Sequence, residues 1–458
     1  MPVTEPQTAA AWVDQGNALL VAHQNEAALA CYEKALALDP RHLSALCNSG
    51  VALRKMRRHE QALACYQRAL AVKPDYADLL SNCGNLLRDL ERLEQALSLH
   101  QRAHALAPND VMSLNNCGIV LQDLRRFDEA QACYERARLL KPHDANTLWN
   151  DSLCQLTLGN FKQGWERLEQ WRWADCAGQA ERFPPAQRWL GGTALHNKTI
   201  LLVYQEKKHM GFGDTLHFCR YTGLLAQMGA RVLLQVQEPL KPLLQSLEGV
   251  SQIFGPEQDL PTFDYYCPLI TLPLALQTDL SNIPAAPYLK SLASKVQAWQ
   301  SRLPVKEKSK RIGLVWNGSQ TANSDHNRSI ALQAFQTLLD ERADYFCLQN
   351  AIRPGDQATL SQAKNIHYVG DHLHDFCDTA ALIELMDLVI TVDTSVAHLA
   401  AAMGKPTWIL LGYTPDWRWM LEGMTSPWYP SVRLFRQPQL SDWARVVAEV
   451  KTALREAL

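Results

Sequence analysis

Residues 45–74 read A-L-C-N-S-G-V-A-L-R-K-M-R-R-H-E-Q-A-L-A-C-Y-Q-R-A-L-A-V-K-P, and the placing of their small residues, one tyrosine and a closing proline decides the fold of the first part of the chain. Gly50 has counterparts at a period of 34 residues: Gly16, Gly84 and Gly118. Ala62 repeats as Ala28, Ala96 and Ala130, Ala69 as Ala35, Ala103 and Ala137, and Pro74 as Pro40, Pro108 and Pro142. Tyr66 shares a fifth column with Tyr32 and Tyr134, in which His100 is the departure. A period of this length is one helical hairpin per repeat. Glycine and alanine fall where two helices cross closely, the aromatic ring wedges against the next hairpin, and proline stops each second helix.

Over residues 9–144 these columns resemble the tetratricopeptide (TPR) motif. A degenerate fifth copy follows at about 145–178, where Ser152 and Gly164 replace the glycine and alanine and the tail carries Trp165, Trp171 and Trp173. An aromatic last repeat suits a cap docked onto another domain, so residues 9–178 are expected to form an all-α TPR solenoid. Asn48, Asn82, Asn116 and Asn150 make a further column, with Asp14 at its first position. Asparagine is a mediocre helix former, so its recurrence in mid-helix needs a reason. Either each amide bonds to a neighbouring hairpin, or the ladder lines a groove and pairs with the backbone of an extended peptide. A similar ladder is a feature of the TPR region of protein O-GlcNAc transferases, which implies a protein or peptide partner.

After Pro184-Pro185 the pattern changes to apolar β-branched runs alternating with helical stretches. Strands are expected at Thr199–Val203, Arg231–Val236, Ile312–Trp316, Tyr345–Leu348, Leu388–Val392 and Thr407–Leu411. Helices are expected at Thr215–Gln227, Ser291–Leu303 and Ile330–Leu339. The alternation occurs twice with a linker between, which predicts two Rossmann-like lobes, residues 186–303 and 304–458, facing a cleft. Ligands bind such sheets beyond the carboxyl ends of the strands.

Two loops stand at those ends. In Gly211-Phe212-Gly213-Asp214-Thr215, Leu216 occupies the place of a third glycine, so the segment is no dinucleotide fingerprint. Gly211 and Gly213 let a ligand approach the backbone, and Asp214 either projects into the cleft or caps a helix beginning at Thr215. In Asp393-Thr394-Ser395-Val396-Ala397-His398 a small-residue helix opens directly after an apolar strand, a natural diphosphate site.

The motifs G-F-G-D-T with F-C-R-Y, D-T-S-V-A-H-L-A-A-A-M-G-K-P, and P-D-W-R-W with S-P-W-Y-P resemble the heptosyltransferase-like glycosyltransferases, and more narrowly their bacterial branch in which the domain follows TPR repeats. The resemblance implies an α/β GT-B domain that takes a nucleotide sugar in its C-terminal lobe and inverts the anomeric centre. It implies Asp214 as general base, with Thr394, Ser395 and His398 holding the diphosphate. One departure is the basic stretch Lys207-Lys208-His209-Met210 between Glu206 and Gly211. It either adds donors to the cleft or displaces Asp214.

Glycosyl transfer needs a base for the acceptor hydroxyl and positive groups for the departing diphosphate. The chain contains no Asp-x-Asp, so a metal-held diphosphate is not indicated and fixed donors are expected to serve. Arg328 is a candidate for the phosphates, or else a surface charge. Gln349, at a strand end, is a candidate for a nucleobase or phosphate. Asp371, His372 and His374 are spaced like metal ligands but are read as a solvated loop. Trp417, Trp419 and Trp428 suit packing, and their faces also suit sugar stacking.

Composition narrows the class. The formal net charge of -2 offers no global field for nucleic acid. Twelve cysteines without a C-x-x-C pair fit a reducing compartment, and Cys31, Cys65 and Cys133 are expected to be small buried residues. No apolar run approaches the ~20 residues of a membrane span, and the N-terminus lacks a signal-peptide pattern. The expectation is a cytoplasmic, metal-independent glycosyltransferase with no cofactor beyond its nucleotide-sugar substrate. The alternatives are a lipopolysaccharide- or glycan-directed transferase and a non-catalytic TPR scaffold.

Overall fold

The computed structural model describes residues 7–175, 182–204, 210–305, 308–318 and 328–458. The chain divides into two compact units, Met1–Cys154 and Gln155–Leu458.

The first unit is a series of helical hairpins: α1 (Ala9–Val21) with α2 (Asn25–Leu38), α3 (Leu43–Lys55) with α4 (His59–Val72), α5 (Ala77–Asp89) with α6 (Leu93–Leu106), and α7 (Val111–Asp123) with α8 (Phe127–Leu140). The division between the units falls within α9 (Ala145–Thr157). The glycine column is steric. A Cβ at Gly16 would stand 2.5 Å from the ring of Tyr32, and one at Gly84 would stand 2.7 Å from His100. The wedge residues Tyr32, Tyr66, His100 and Tyr134 are fully buried. Each hairpin turns through a residue in the left-handed region, His23, Arg57, Glu91 or Arg125, none of them glycine. The next residue's N–H closes each turn on the preceding helix, as Arg58 N does on Leu53 O at 2.9 Å. This is the Schellman closure, which satisfies carbonyls that the helix end would otherwise orphan. Cys31 is buried as expected, whereas Cys65 and Cys133 are only partly covered.

The second unit opens with α10 (Phe161–Asp175), whose aromatic face is buried within that unit. Trp165 packs edge-on against Trp417 at 5.2 Å and donates from Nε1 to the Thr278 carbonyl at 2.9 Å. Phe161 meets Trp428 at 5.8 Å. Trp417, Trp419 and Trp428 are buried, so they are packing residues, with no face open to a sugar.

Two parallel sheets follow. The first contains β1 (Thr199–Val203), β2 (Arg231–Gln235), β3 (Val250–Phe254) and β4 (Tyr265–Pro268) in the order β3-β2-β1-β4. Its short helices are α11 (Phe212–Phe218), α12 (Thr222–Gln227), α13 (Lys241–Leu244) and α14 (Leu272–Ala275). The linking helix α15 (Ala293–Arg302) leads to the second sheet. There β5 (Lys310–Val315), β6 (Ala343–Cys347), β7 (Ile366–Tyr368), β8 (Leu388–Val392), β9 (Thr407–Leu411) and β10 (Val432–Arg436) are ordered β10-β9-β8-β5-β6-β7. Described helices of this lobe are α16 (Leu332–Gln336), α17 (Pro354–Gln362), α18 (Phe376–Glu384), α19 (Ser395–Ala402) and α20 (Trp443–Ala457). This is an all-α repeat region followed by two parallel α/β lobes, as expected. The order reverses beside β1 in one lobe and between β5 and β8 in the other, where ligand crevices open in such sheets.

Four strands escaped the sequence reading. β3 has no buried residue, β4 and β7 are short, and β10 is interrupted by Arg433 and Arg436, so none presents a long apolar run. The helix expected at Thr215–Gln227 begins earlier, at Phe212, and is broken by a 3-10 turn at Cys219–Tyr221.

Candidate active site

The loops after β1 and β8 carry α11 and α19, and the first turns of these helices meet. A Cβ on Gly213 would lie 2.9 Å from His398 Cδ2 and 3.7 Å from Ser395 Cα. Gly213 is therefore required for lobe-to-lobe approach, beyond any close passage of a ligand. Gly211 is the N-cap of α11, and a Cβ there would meet only Asp214 Oδ2, at 3.8 Å.

Asp214 is thus not an N-cap, which corrects that alternative. It sits in the first turn and reaches back to accept from Gly211 N–H at 2.8 Å through Oδ2. Its Oδ1 accepts from Arg418 Nη2 of the other lobe. Arg418 Nη1 donates to both Asp416 oxygens, at 3.0 and 3.1 Å, so one buried guanidinium bridges two carboxylates. Burial pushes the Asp214 carboxyl above its ordinary range, opposed by Arg418 and the Gly211 amide. The side chain remains 23% exposed, so it is accessible to a reacting group. Lys207–His209, the greater part of the basic stretch before this turn, lies outside the described residues.

Thr394 is the N-cap of α19 and makes no side-chain capping bond, which leaves the first N–H groups of the helix for an anion. Asp393 closes β8 beside them. Burial and then Asp416 raise its carboxyl to about 6, while Arg328 pulls the other way. Arg328 reaches this loop, donating from Nη1 to the Asp393 carbonyl at 3.3 Å. Residues 319–327 before it lie outside the described residues. His398 stacks on Trp419 and shares the Tyr429 hydroxyl with His217, at 3.0 and 3.1 Å. Burial, then Arg418, Arg220 and Arg328, hold the His398 imidazole well below its ordinary pKa.

Gln349 follows β6. Its Oε1 accepts from the Trp316 and Asn317 amides at 2.7 and 3.2 Å, so it ties the segment after β6 to the loop after β5. Asp371, His372 and His374 are exposed, as expected of a solvated loop. Among the described residues, no group of three His, Cys, Asp or Glu could hold a metal ion.

Sequence reasoning missed Arg418, Tyr429 and Arg220, each within one of the motifs, and His217, which lies between two of them. It also missed Phe212, which is 37% exposed and packs edge-on against Phe376 of the other lobe at 5.1 Å. Nothing in the spacing of residues 204 apart announces the Asp214–Arg418 pair.

In the first unit the asparagines divide. Asn48 Nδ2 donates to Asn17 Oδ1 at 2.7 Å, and the Tyr32 hydroxyl donates to the same oxygen at 2.9 Å, so Asn48 joins neighbouring hairpins. Asn82, Asn116 and Asn150 are half-buried and make no side-chain hydrogen bond among the described residues.

Fold and site together show tetratricopeptide-like hairpins followed by a two-lobed α/β domain similar to those of glycosyltransferases. The tetratricopeptide repeat family matches residues 7–75, 41–109 and 75–142, and glycosyltransferase family 9 (heptosyltransferase) matches residues 374–451. Protein FlbA of Caulobacter vibrioides is 26% identical over 330 residues, covering 66% of this chain and 53% of FlbA. The chain therefore spans about half the length of that curated relative. Among solved structures, MamA from Desulfovibrio magneticus is 15% identical with a TM-score of 0.34, over 38% of this chain and 99% of that one. Pseudomonas aeruginosa pilF is 21% identical with a TM-score of 0.34, over 38% of this chain and 78% of that one.

Proposed function

We propose that the protein is an inverting glycosyltransferase that moves a sugar from a nucleotide sugar to a polypeptide held by the repeat groove. The observation that carries this reading is the meeting of α11 and α19. It brings a carboxylate from one lobe to the anion-binding helix start of the other. The acceptor oxygen attacks the anomeric carbon as the bond to the diphosphate breaks, and its proton passes to Asp214. Arg418 and the Gly211 amide hold that carboxylate in position. The leaving diphosphate is stabilised by the N–H groups after Thr394, by the Ser395 hydroxyl and by Arg328, so fixed donors supply the positive field without a metal. Asn82, Asn116 and Asn150 support a peptide acceptor, because their amides remain free to pair with a backbone.

A thermal-shift panel of UDP-, GDP-, ADP- and CMP-sugars tests donor binding, since a ligand of the folded state raises its melting temperature. With the stabilising donor, Asp214→Asn should bind normally and turn over roughly 10²- to 10⁴-fold more slowly. No shift with any sugar nucleotide, or near-normal turnover by the variant, would overturn the reading.

A further inference from the structure

A hydrogen-bond chain from Arg220 bears on which nitrogen of His398 carries its proton. Arg220, buried in the first lobe, donates from Nε to the His217 carbonyl at 2.8 Å and from Nη1 to the Trp428 carbonyl at 2.8 Å. Its Nη2 lies 3.2 Å from His217 Nδ1. A guanidinium has donors only, so His217 Nδ1 must present its lone pair. The Tyr429 hydroxyl stands 3.1 Å from the same nitrogen, and turning its one proton there avoids a contact between two lone pairs. Were that proton turned to His398 instead, the Tyr429 oxygen and His217 Nδ1 would face each other lone pair to lone pair. With the proton so committed, the Tyr429 oxygen can only accept across its 3.0 Å contact with His398 Nδ1. His398 Nδ1 therefore carries the hydrogen. The imidazole is neutral, because burial and Arg418, Arg220 and Arg328 disfavour its cation. Nε2 is then a bare lone pair.

That lone pair faces the site. Nε2 would be 3.6 Å from a Cβ on Gly213, is 3.9 Å from Asp393 Oδ1, and makes no hydrogen bond among the described residues. The side chain is 8% exposed. A diphosphate offers acceptors only and would meet this nitrogen lone pair to lone pair. A hydroxyl would donate to it.

We propose that His398 binds a hydroxyl of the reacting partners through Nε2, as a specificity-determining acceptor, and does not hold the diphosphate. The chain Arg220–His217–Tyr429 sets its tautomer from the other lobe. The identity of the hydroxyl rests on the glycosyltransferase reading above. The tautomer does not.

Two measurements separate these claims. In the full-length protein with ¹⁵N-labelled histidine, long-range ¹H–¹⁵N spectra at neutral pH should show His398 protonated on Nδ1 and bare on Nε2. The signal is assigned by its loss in His398→Gln. Tyr429→Phe, which removes the acceptor of Nδ1–H, should move the ring toward the other tautomer. A wild-type His398 protonated on Nε2 overturns the proposal whether or not any sugar is transferred. By calorimetry, His398→Ala should bind UDP, GDP or ADP within about twofold of wild type. With the sugar nucleotide selected by thermal shift, its kcat/KM should fall by about 3- to 10-fold, the size of one hydrogen bond. Equal losses in donor hydrolysis and in transfer place the hydroxyl on the sugar, and a larger loss in transfer places it on the acceptor. A tenfold or greater loss of diphosphate affinity, or no loss in either rate, overturns the assignment. Absence of turnover in the wild type refutes the glycosyltransferase reading and leaves the tautomer result standing.

Discussion

Gly213 of one lobe and His398 of the other approach so closely that a Cβ on the glycine would stand 2.9 Å from the imidazole Cδ2. His398 cannot retreat, because it is stacked on Trp419 and bonded to Tyr429. Gly213→Ala should therefore separate the first turns of α11 and α19 and cost about 1–3 kcal/mol, as overpacking of a close contact does. Calorimetric unfolding and turnover should both register it. An alanine variant with wild-type melting and rate would show that the lobes need not meet here.

Arg418 carries two carboxylates, Asp214 and Asp416, on one planar fork. Arg418→Lys keeps the charge but cannot serve both geometries. Turnover should drop about 10- to 100-fold, in line with one lost charge-assisted bond. A lysine that stays on Asp416 no longer donates a hydrogen bond to Asp214, which raises the Asp214 pKa further, and a base works only when ionised, so the acid limb of the pH–rate profile should move to higher pH. An unmoved acid limb would dissociate Asp214 from the base.

Asp393 gives a stability signature with a definite sign. Its folded pKa of about 6 lies above the ordinary 3.8, because burial and then Asp416 disfavour its charge. Its contribution is favourable below the unfolded value and is lost as pH rises through about 6. Asp393→Asn, permanently neutral, should gain melting temperature relative to wild type between pH 5 and pH 7.5. A constant difference across that window would mean that Asp393 titrates normally.

Asn82, Asn116 and Asn150 can be tested apart from Asn48, which is already bonded to Asn17. Replacing the three with alanine, a better helix former, should leave the repeats at least as stable and sharply reduce transfer to a protein acceptor. Asn48→Ala alone should destabilise the first hairpins by about 0.5–1.5 kcal/mol. Early melting of the triple variant would make these residues hairpin glue.

His100 replaces the column tyrosine with a buried ring whose two nitrogens find no hydrogen-bond partner among the described residues. Burial lowers its pKa to about 4, so it is neutral and unsatisfied under ordinary conditions. His100→Tyr exchanges two unpaired polar atoms for one hydroxyl in a site that holds tyrosine in the neighbouring repeats. The repeat unit should gain about 1–2 kcal/mol, read by chemical denaturation. A loss would show that the third hairpin is shaped around the smaller ring.

Most of the architecture is local and was therefore legible in the chain. A helical hairpin is set by contacts within 34 residues, so its glycine, alanine, aromatic and proline columns appear as a period in sequence. The buried parallel strands β1, β8 and β9 are apolar on both faces, which marks them without reference to their neighbours. The loops holding Asp214 and Asp393–His398 were visible because glycines and small residues followed such strands.

What those side chains do was decided only in three dimensions. Asp214 is bonded to Arg418, 204 residues away, and His398 receives its tautomer from Arg220 through His217 and Tyr429. Gln349 stands at a strand end in the same way, yet two backbone amides occupy its acceptor. Asn48 and Asn82 share one column and differ because the first hairpin supplies Asn17 as a partner. Periodicity reports the backbone's repeating geometry, whereas the protonation and partnering of a polar side chain depend on the atoms that folding brings within about 3 Å of it.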